Sequence, residues 1–133
     1  MQESKPQDSI QYAVDEAPDA GTTVPVAAGI HWLRMPLPFA LSHINLWLLE
    51  NDDSWDIVDT GVNTDLSHDV WKNVFSDLTK DAPIDRVIVT HMHPDHAGCA
   101  GWLCNELDAG LWMTREEYLF CRILTADTGR DVP

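Results

Sequence analysis

The feature that most narrows what this chain can fold into is the run Thr90-His91-Met92-His93-Pro94-Asp95-His96, which follows directly on the β-branched stretch Arg86-Val87-Ile88-Val89. A β-branched run of this length reads as a short strand, so three imidazoles and a carboxylate are delivered at a strand's carboxyl end. Neutral imidazole nitrogen and carboxylate oxygen are ligands that suit zinc, and a catalytic ion also needs an open coordination position. In an extended turn His91 and His93 can point the same way, while Pro94 fixes the chain between that pair and the next two candidate ligands. One loop can then offer His91 and His93 to one ion, and Asp95 and His96 to a neighbour. Two ions about 3.5–4 Å apart can share a water, lower its pKa toward neutrality and polarise a carbonyl or phosphoryl oxygen. Hydrolysis is the natural reaction class.

The other candidate ligands stand apart. His31 and His43 lie in strand-like runs and His68 on the polar side of a helical segment, each alone, which is the setting of structural or solvated histidines. Cys99, three residues beyond His96, can be read as a thiolate ligand, but burial in a helix is the expected role.

Along the chain, residues 1–23 mix Gln, Ser, Asp, Glu, Pro and Gly with few large apolar side chains, and a flexible polar tail is expected there. Order is expected from Val24. Ile30 to Met35 and Ile44 to Leu49 are apolar, tryptophan-bearing runs of strand length that read as a hairpin with a substantial loop. That loop, Pro36 to Leu41, can overhang a site and grip an apolar substrate, or serve as a plain connection with Phe39 tucked into the core; the second is expected. The turn cluster Asn51-Asp52-Asp53-Ser54 leads into a third strand, Trp55 to Val58, ending at Asp59-Thr60-Gly61. Leu66, Val70, Trp71, Val74, Phe75 and Leu78 then fall at helical spacing, with Asn63 or Thr64 as N-cap. Beyond the histidines, Ala100, Leu103, Cys104 and Leu107 share a helical face that Gly110 can end, and Leu111 to Met113 can form another strand. Thr114-Arg115-Glu116-Glu117 has the form of a capping box before a last helix.

Composition sets limits on partners. A formal charge of −14, from 22 acidic against 8 basic side chains, repels phosphate backbones and anionic lipid, so neither nucleic acid nor membrane is an expected partner. The first 18 residues lack the basic start and apolar core of an export signal, and the three cysteines lack CxxC spacing. A cytoplasmic protein with reduced thiols is expected.

The run Thr90 to His96 resembles the histidine motif of the metallo-β-lactamase superfamily, H-x-H-x-D-H, and Trp55-Asp56-Ile57-Val58-Asp59-Thr60-Gly61 is similar to that family's earlier strand-then-Asp signature. The likeness runs from about Ile30 to Leu124. It implies an α/β (α+β) fold, a mixed sheet flanked by helices, forming the N-terminal half of a four-layer αββα sandwich, with residues 24–133 as an incomplete domain whose C-terminal half is absent. It implies that His91 and His93 bind a first zinc ion and Asp95 and His96 a second, with iron or manganese as other options, and that Asp59 orients the histidine loop. A further histidine, a bridging carboxylate and a last histidine are missing, since no histidine follows His96.

The activity this implies for an intact protein is a metal-dependent hydrolase of the hydroxyacylglutathione-hydrolase kind. A zinc-bound hydroxide attacks an ester, thioester, lactone or amide of a small-molecule substrate, and Asp95 orients or deprotonates the water. The other readings are a metal-binding or interaction fragment without turnover, a phosphodiesterase or nuclease, and a mono-iron sulfur dioxygenase. Half a sandwich exposes one apolar sheet face, so pairing with a second copy is a further option.

Overall fold

Alternating apolar residues build the first four strands, and every second one points to the same side. The computed structural model describes residue 12 and residues 14–126. In it β1 (Thr23–Ala27), β2 (Ile30–Pro36), β3 (His43–Glu50) and β4 (Trp55–Val58) form an antiparallel meander, and β5 (Ile84–Val89) and β6 (Gly110–Met113) continue the sheet in parallel, in the order β1-β2-β3-β4-β5-β6. The expected mixed sheet with helices is therefore present. The register sets Leu33 beside Leu46, Met35 beside Ile44, Leu48 beside Ile57 and Ile57 beside Val87 on one face.

That face is covered by helices. Helix α1 (Asp65–Val74) starts at Thr64, whose hydroxyl accepts the Ser67 N–H, a cap that contributes about 1 kcal/mol. Its buried stripe of Val70, Trp71 and Val74 joins Leu33, Met35 and Leu46 in one buried core cluster. The helix runs on into one π-helical turn, Phe75–Thr79, and stops where Lys80 and Asp81 take left-handed backbone angles. After β5 come α2 (Pro94–Ala97) and α3 (Ala100–Leu107), and after β6 comes α4 (Arg115–Ala126). Gly110 does not end α3: Asp108 takes the left-handed cap position, at φ 52°, and Gly110 instead opens β6 in register with Arg86.

The opposite face carries Trp32, Trp47, Leu49, Val58, Ile88 and Trp112 by alternation, with Trp32 and Trp47 stacked at 6.4 Å. In its middle the Asp56 carboxylate pairs with the Arg86 guanidinium, which also lies over the Trp112 ring. Burial raises the Asp56 pKa, but hydrogen bonds from Arg86 and Asn51 outweigh it and hold the carboxyl below its usual range.

Phe39 is not tucked into the core: it is 60% exposed, and Leu37 is buried in its place. The Leu37 N–H donates to the Ser42 carbonyl and closes the loop tightly, which carries Phe39 and Leu41 outward at its tip. Of the stretch expected to be a flexible tail, residues 1–11 and 13 lie outside the described residues. Within the described part Pro18 is buried, its carbonyl accepts from Arg34, and the Gly21 N–H donates to the Arg34 carbonyl. Among the described residues, no helix is long and apolar enough to cross a membrane.

Candidate metal centre

Antiparallel pairing of β2, β3 and β4 and parallel pairing of β4, β5 and β6 bring the Phe39 loop, the turn after β4, the histidine loop after β5 and the start of α4 to one edge of the sheet. Asp59 leaves β4 there in a left-handed conformation, φ 61°, which Asp tolerates better than most residues. The kink turns its carboxylate, 5% exposed, toward the neighbouring loop. One oxygen accepts the Thr90 N–H at 2.8 Å, both accept the Thr90 hydroxyl, and Oδ2 lies 2.8 Å from His96 Nδ1.

These contacts decide which imidazole nitrogens are free. A carboxylate only accepts, so His96 carries its proton on Nδ1 and presents a lone pair at Nε2. The single Thr90 hydroxyl proton also goes to Asp59, so the hydroxyl oxygen, 3.0 Å from His91 Nδ1, accepts from that nitrogen. His91 is thereby left with its lone pair on Nε2. Asp59 fixes one histidine directly and a second through Thr90.

His91 Nε2 lies 3.0 Å from His93 Nδ1, so the two rings aim at one point and share one proton between them. Two nitrogens bound to one zinc at 2.0–2.1 Å and a tetrahedral angle stand about 3.3 Å apart, close to this spacing. The second pair is looser, with His96 Nε2 at 3.7 Å from Asp95 Oδ2. His93 is exposed, and His91, Asp95 and His96 are half-buried. The donor types and the first pair's spacing fit a cation. The set is incomplete, for among the described residues no three His, Cys, Asp or Glu side chains converge as a full metal site requires.

Pro94 occupies the first position of α2, and its preceding residue His93 is extended, as a residue before proline prefers. This reverses the chain between the two donor pairs. Thr60 ties the far side down, its N–H and hydroxyl both donating to the His96 carbonyl at 2.8 and 2.7 Å. Trp71 of α1 in turn donates from Nε1 to the Thr60 carbonyl at 2.8 Å. Gly98 lets the two turns touch, because a Cβ there would stand 2.7 Å from the Gly61 carbonyl oxygen.

Cys99 takes no part as a ligand. It is fully buried, its thiol donates to the Val62 carbonyl, and burial pushes its pKa up to about 11. His31 packs edge-on against Trp55, His43 sits beside Ser42 and Arg34, and His68 stacks on Trp102, all away from the cluster. Thr60, Gly98 and Glu117, whose carboxylate accepts the Met92 N–H at 2.7 Å, also frame the site, and none of them is among the candidates read from the sequence. The Thr-Gly after Asp59 and the small residues after His96 were the available signals for the first two. Glu117 carried only its capping-box position.

Residues 40–129 match the model of the metallo-beta-lactamase superfamily. The chain is similar to a beta-lactamase domain protein from Burkholderia ambifaria, with 47% identity and a TM-score of 0.78 over 85% of this chain and 38% of that one. It is also similar to the metallo-beta-lactamase family protein TTHA1429 from Thermus thermophilus, with 28% identity and a TM-score of 0.62 over 71% of this chain and 31% of that one. A probable metallo-hydrolase of Bacillus subtilis, YqjP, is 29% identical over 77 residues, which are 57% of this chain and 24% of that protein. The chain thus spans about a quarter to two fifths of the length of these relatives. With a histidine loop on a parallel strand and a family model matched over most of its length, the chain belongs to the metallo-beta-lactamase superfamily.

Proposed function

We propose that this chain carries the first half of the metal centre of a metal-dependent hydrolase acting on an ester, thioester, lactone or amide of a small molecule. The observation that carries the reading is the pairing of His91 Nε2 with His93 Nδ1 at 3.0 Å, beside a His96 whose Nε2 is left free by Asp59. His91 and His93 would hold one divalent ion, with zinc the best match to the donor set, and Asp95 and His96 a second. A bound ion of this kind supplies Lewis acidity and lowers the pKa of water toward neutrality. Asp95 orients the attacking water and accepts its proton at a carboxylate oxygen, while Asp59 keeps His96 and, through Thr90, His91 in the tautomers that ligation needs. The exposed Phe39 and Leu41 at the same edge favour a substrate with an apolar arm.

Two donors per ion fall short of the three protein ligands usual at a catalytic zinc, so the reading assigns the remaining ligands to polypeptide other than these residues. The same shortfall favours, as the second reading, a metal-binding unit without turnover. Zinc titration of the metal-depleted chain, against a His91→Ala, His93→Ala double variant, tests the assignment. Binding that is lost in the double variant supports the site; binding of equal strength in both removes it. Hydrolysis of a thioester or lactone by the zinc-loaded chain then separates turnover from binding alone.

A further inference from the structure

Glu117 sits at the third residue of α4, after Thr114, where a capping-box glutamate would turn back to the Thr114 N–H. Half of that box forms, for the Thr114 hydroxyl accepts the Glu117 N–H at 3.3 Å. The Glu117 side chain goes elsewhere: its Oε2 accepts the Met92 N–H at 2.7 Å, across 25 residues of sequence. Met92 lies between His91 and His93, whose facing nitrogens are 3.0 Å apart.

The histidine loop is thus held by two carboxylates from different elements, Asp59 taking the Thr90 N–H and Glu117 the Met92 N–H. A peptide hydrogen-bonded at Met92 cannot rotate freely, and its rotation would swing the His91 and His93 rings apart. We propose that Glu117 is a positioning residue for the metal loop, which fixes the Met92 peptide so that His91 and His93 meet at one point. The assignment rests on the metal-site reading above, while the hydrogen bond itself belongs to the fold. It also makes α4 part of the site's frame, although the helix contributes no candidate ligand.

The test uses the full chain with Glu117→Ala, Glu117→Gln and, as a charge control on the same helix turn, Glu116→Ala. Two quantities are read: hydrogen exchange of the Met92 amide in the metal-free protein, and zinc affinity by competition titration. Glu117→Ala is expected to lose Met92 protection and to weaken zinc binding about 10- to 100-fold, the usual effect of removing a group that orients a ligand. Glu117→Gln keeps a carbonyl acceptor and is expected to retain both properties within about threefold, as is Glu116→Ala, which changes the charge alone. Unchanged protection and affinity in Glu117→Ala would overturn the proposal, and so would a Gln variant as impaired as the Ala variant, since charge rather than the hydrogen bond would then be at work. If the parent itself binds no zinc, ligation requires the further ligands assigned above to other polypeptide, and the Met92 amide alone decides whether Glu117 holds the loop.

Discussion

Asp59 and His96 are 37 residues apart in sequence, and their side chains meet at 2.8 Å, Oδ2 to Nδ1. The contact joins the end of β4 to the first turn beyond β5, and it orients the one imidazole that faces Asp95. Exchange of the carboxylate for an amide should therefore act on ligation more than on folding. In Asp59→Asn the left-handed backbone is retained, because Asn tolerates it, but a single oxygen must serve Thr90 and His96 together. Zinc affinity is expected to fall about 10- to 100-fold, measured by competition titration, with a stability loss of about 1–2 kcal/mol in urea.

Gly98 is needed for space and not for backbone freedom, since its backbone is ordinary helix at φ −58°. A methyl group there would stand 2.7 Å from the Gly61 carbonyl oxygen and 2.8 Å from the Asn63 nitrogen, both of them backbone atoms. Gly98→Ala should force the histidine turn away from the Asp59-Thr60-Gly61 turn, at a cost of about 1–3 kcal/mol. A shift of the urea midpoint to lower concentration, with weakened zinc binding, is the expected result.

Asp56 is only 2% exposed, and Arg86, 39% exposed at its side chain, is its cationic partner. Arg86→Met leaves that carboxylate buried without a counterion. Loss of one partner of a buried pair costs about 3–5 kcal/mol, and the partial exposure of Arg86 moves the expectation to about 2–3 kcal/mol. Because the folded Asp56 pKa lies below its ordinary value, the pair's contribution in the parent is present above that value and is lost as pH falls through the lower, folded one. Denaturation at pH 7 and at pH 2–3 should show the gap between parent and variant narrowing on the acid side.

The buried Cys99 thiol predicts the opposite slope at the alkaline end. Between its ordinary value near 9 and the folded value of about 11, the unfolded chain has lost a proton that the folded chain keeps. Stability then falls as pH rises through this window, by about 3 kcal/mol for the whole shift. Cys99→Ala should flatten the decline between pH 9 and 11 in denaturant titrations, whatever its effect on stability at pH 7. Cys104, also raised by burial, stays in both proteins, so the difference in slope belongs to Cys99.

How far the chain itself disclosed its structure depends on the range of the interactions concerned. The strand that delivers the histidines, the helix capped by Thr64 and the grouping of His91, His93, Asp95 and His96 were legible because β-branched runs, helical spacing and a seven-residue cluster are local properties. That Asp59 orients the loop is what the family resemblance implies and no local pattern; its carboxylate faces both Thr90 and His96. Where reading failed, a neighbouring residue offered equivalent local chemistry. Asp108 capped α3 in place of Gly110, and Leu37 entered the core in place of Phe39.

By itself, then, the sequence determined the grouping of the candidate donors and its place after a strand, since residue identity and periodicity need no partner. Tertiary structure alone decided what holds those donors: Thr60 on the His96 carbonyl, Gly98 against Gly61, and Glu117 turned from its own helix cap to the Met92 amide. The reason is physical. A hydrogen bond between residues 25 to 36 apart is made only when packing brings its ends within 3 Å or so, and no local pattern on the chain specifies which residues will meet.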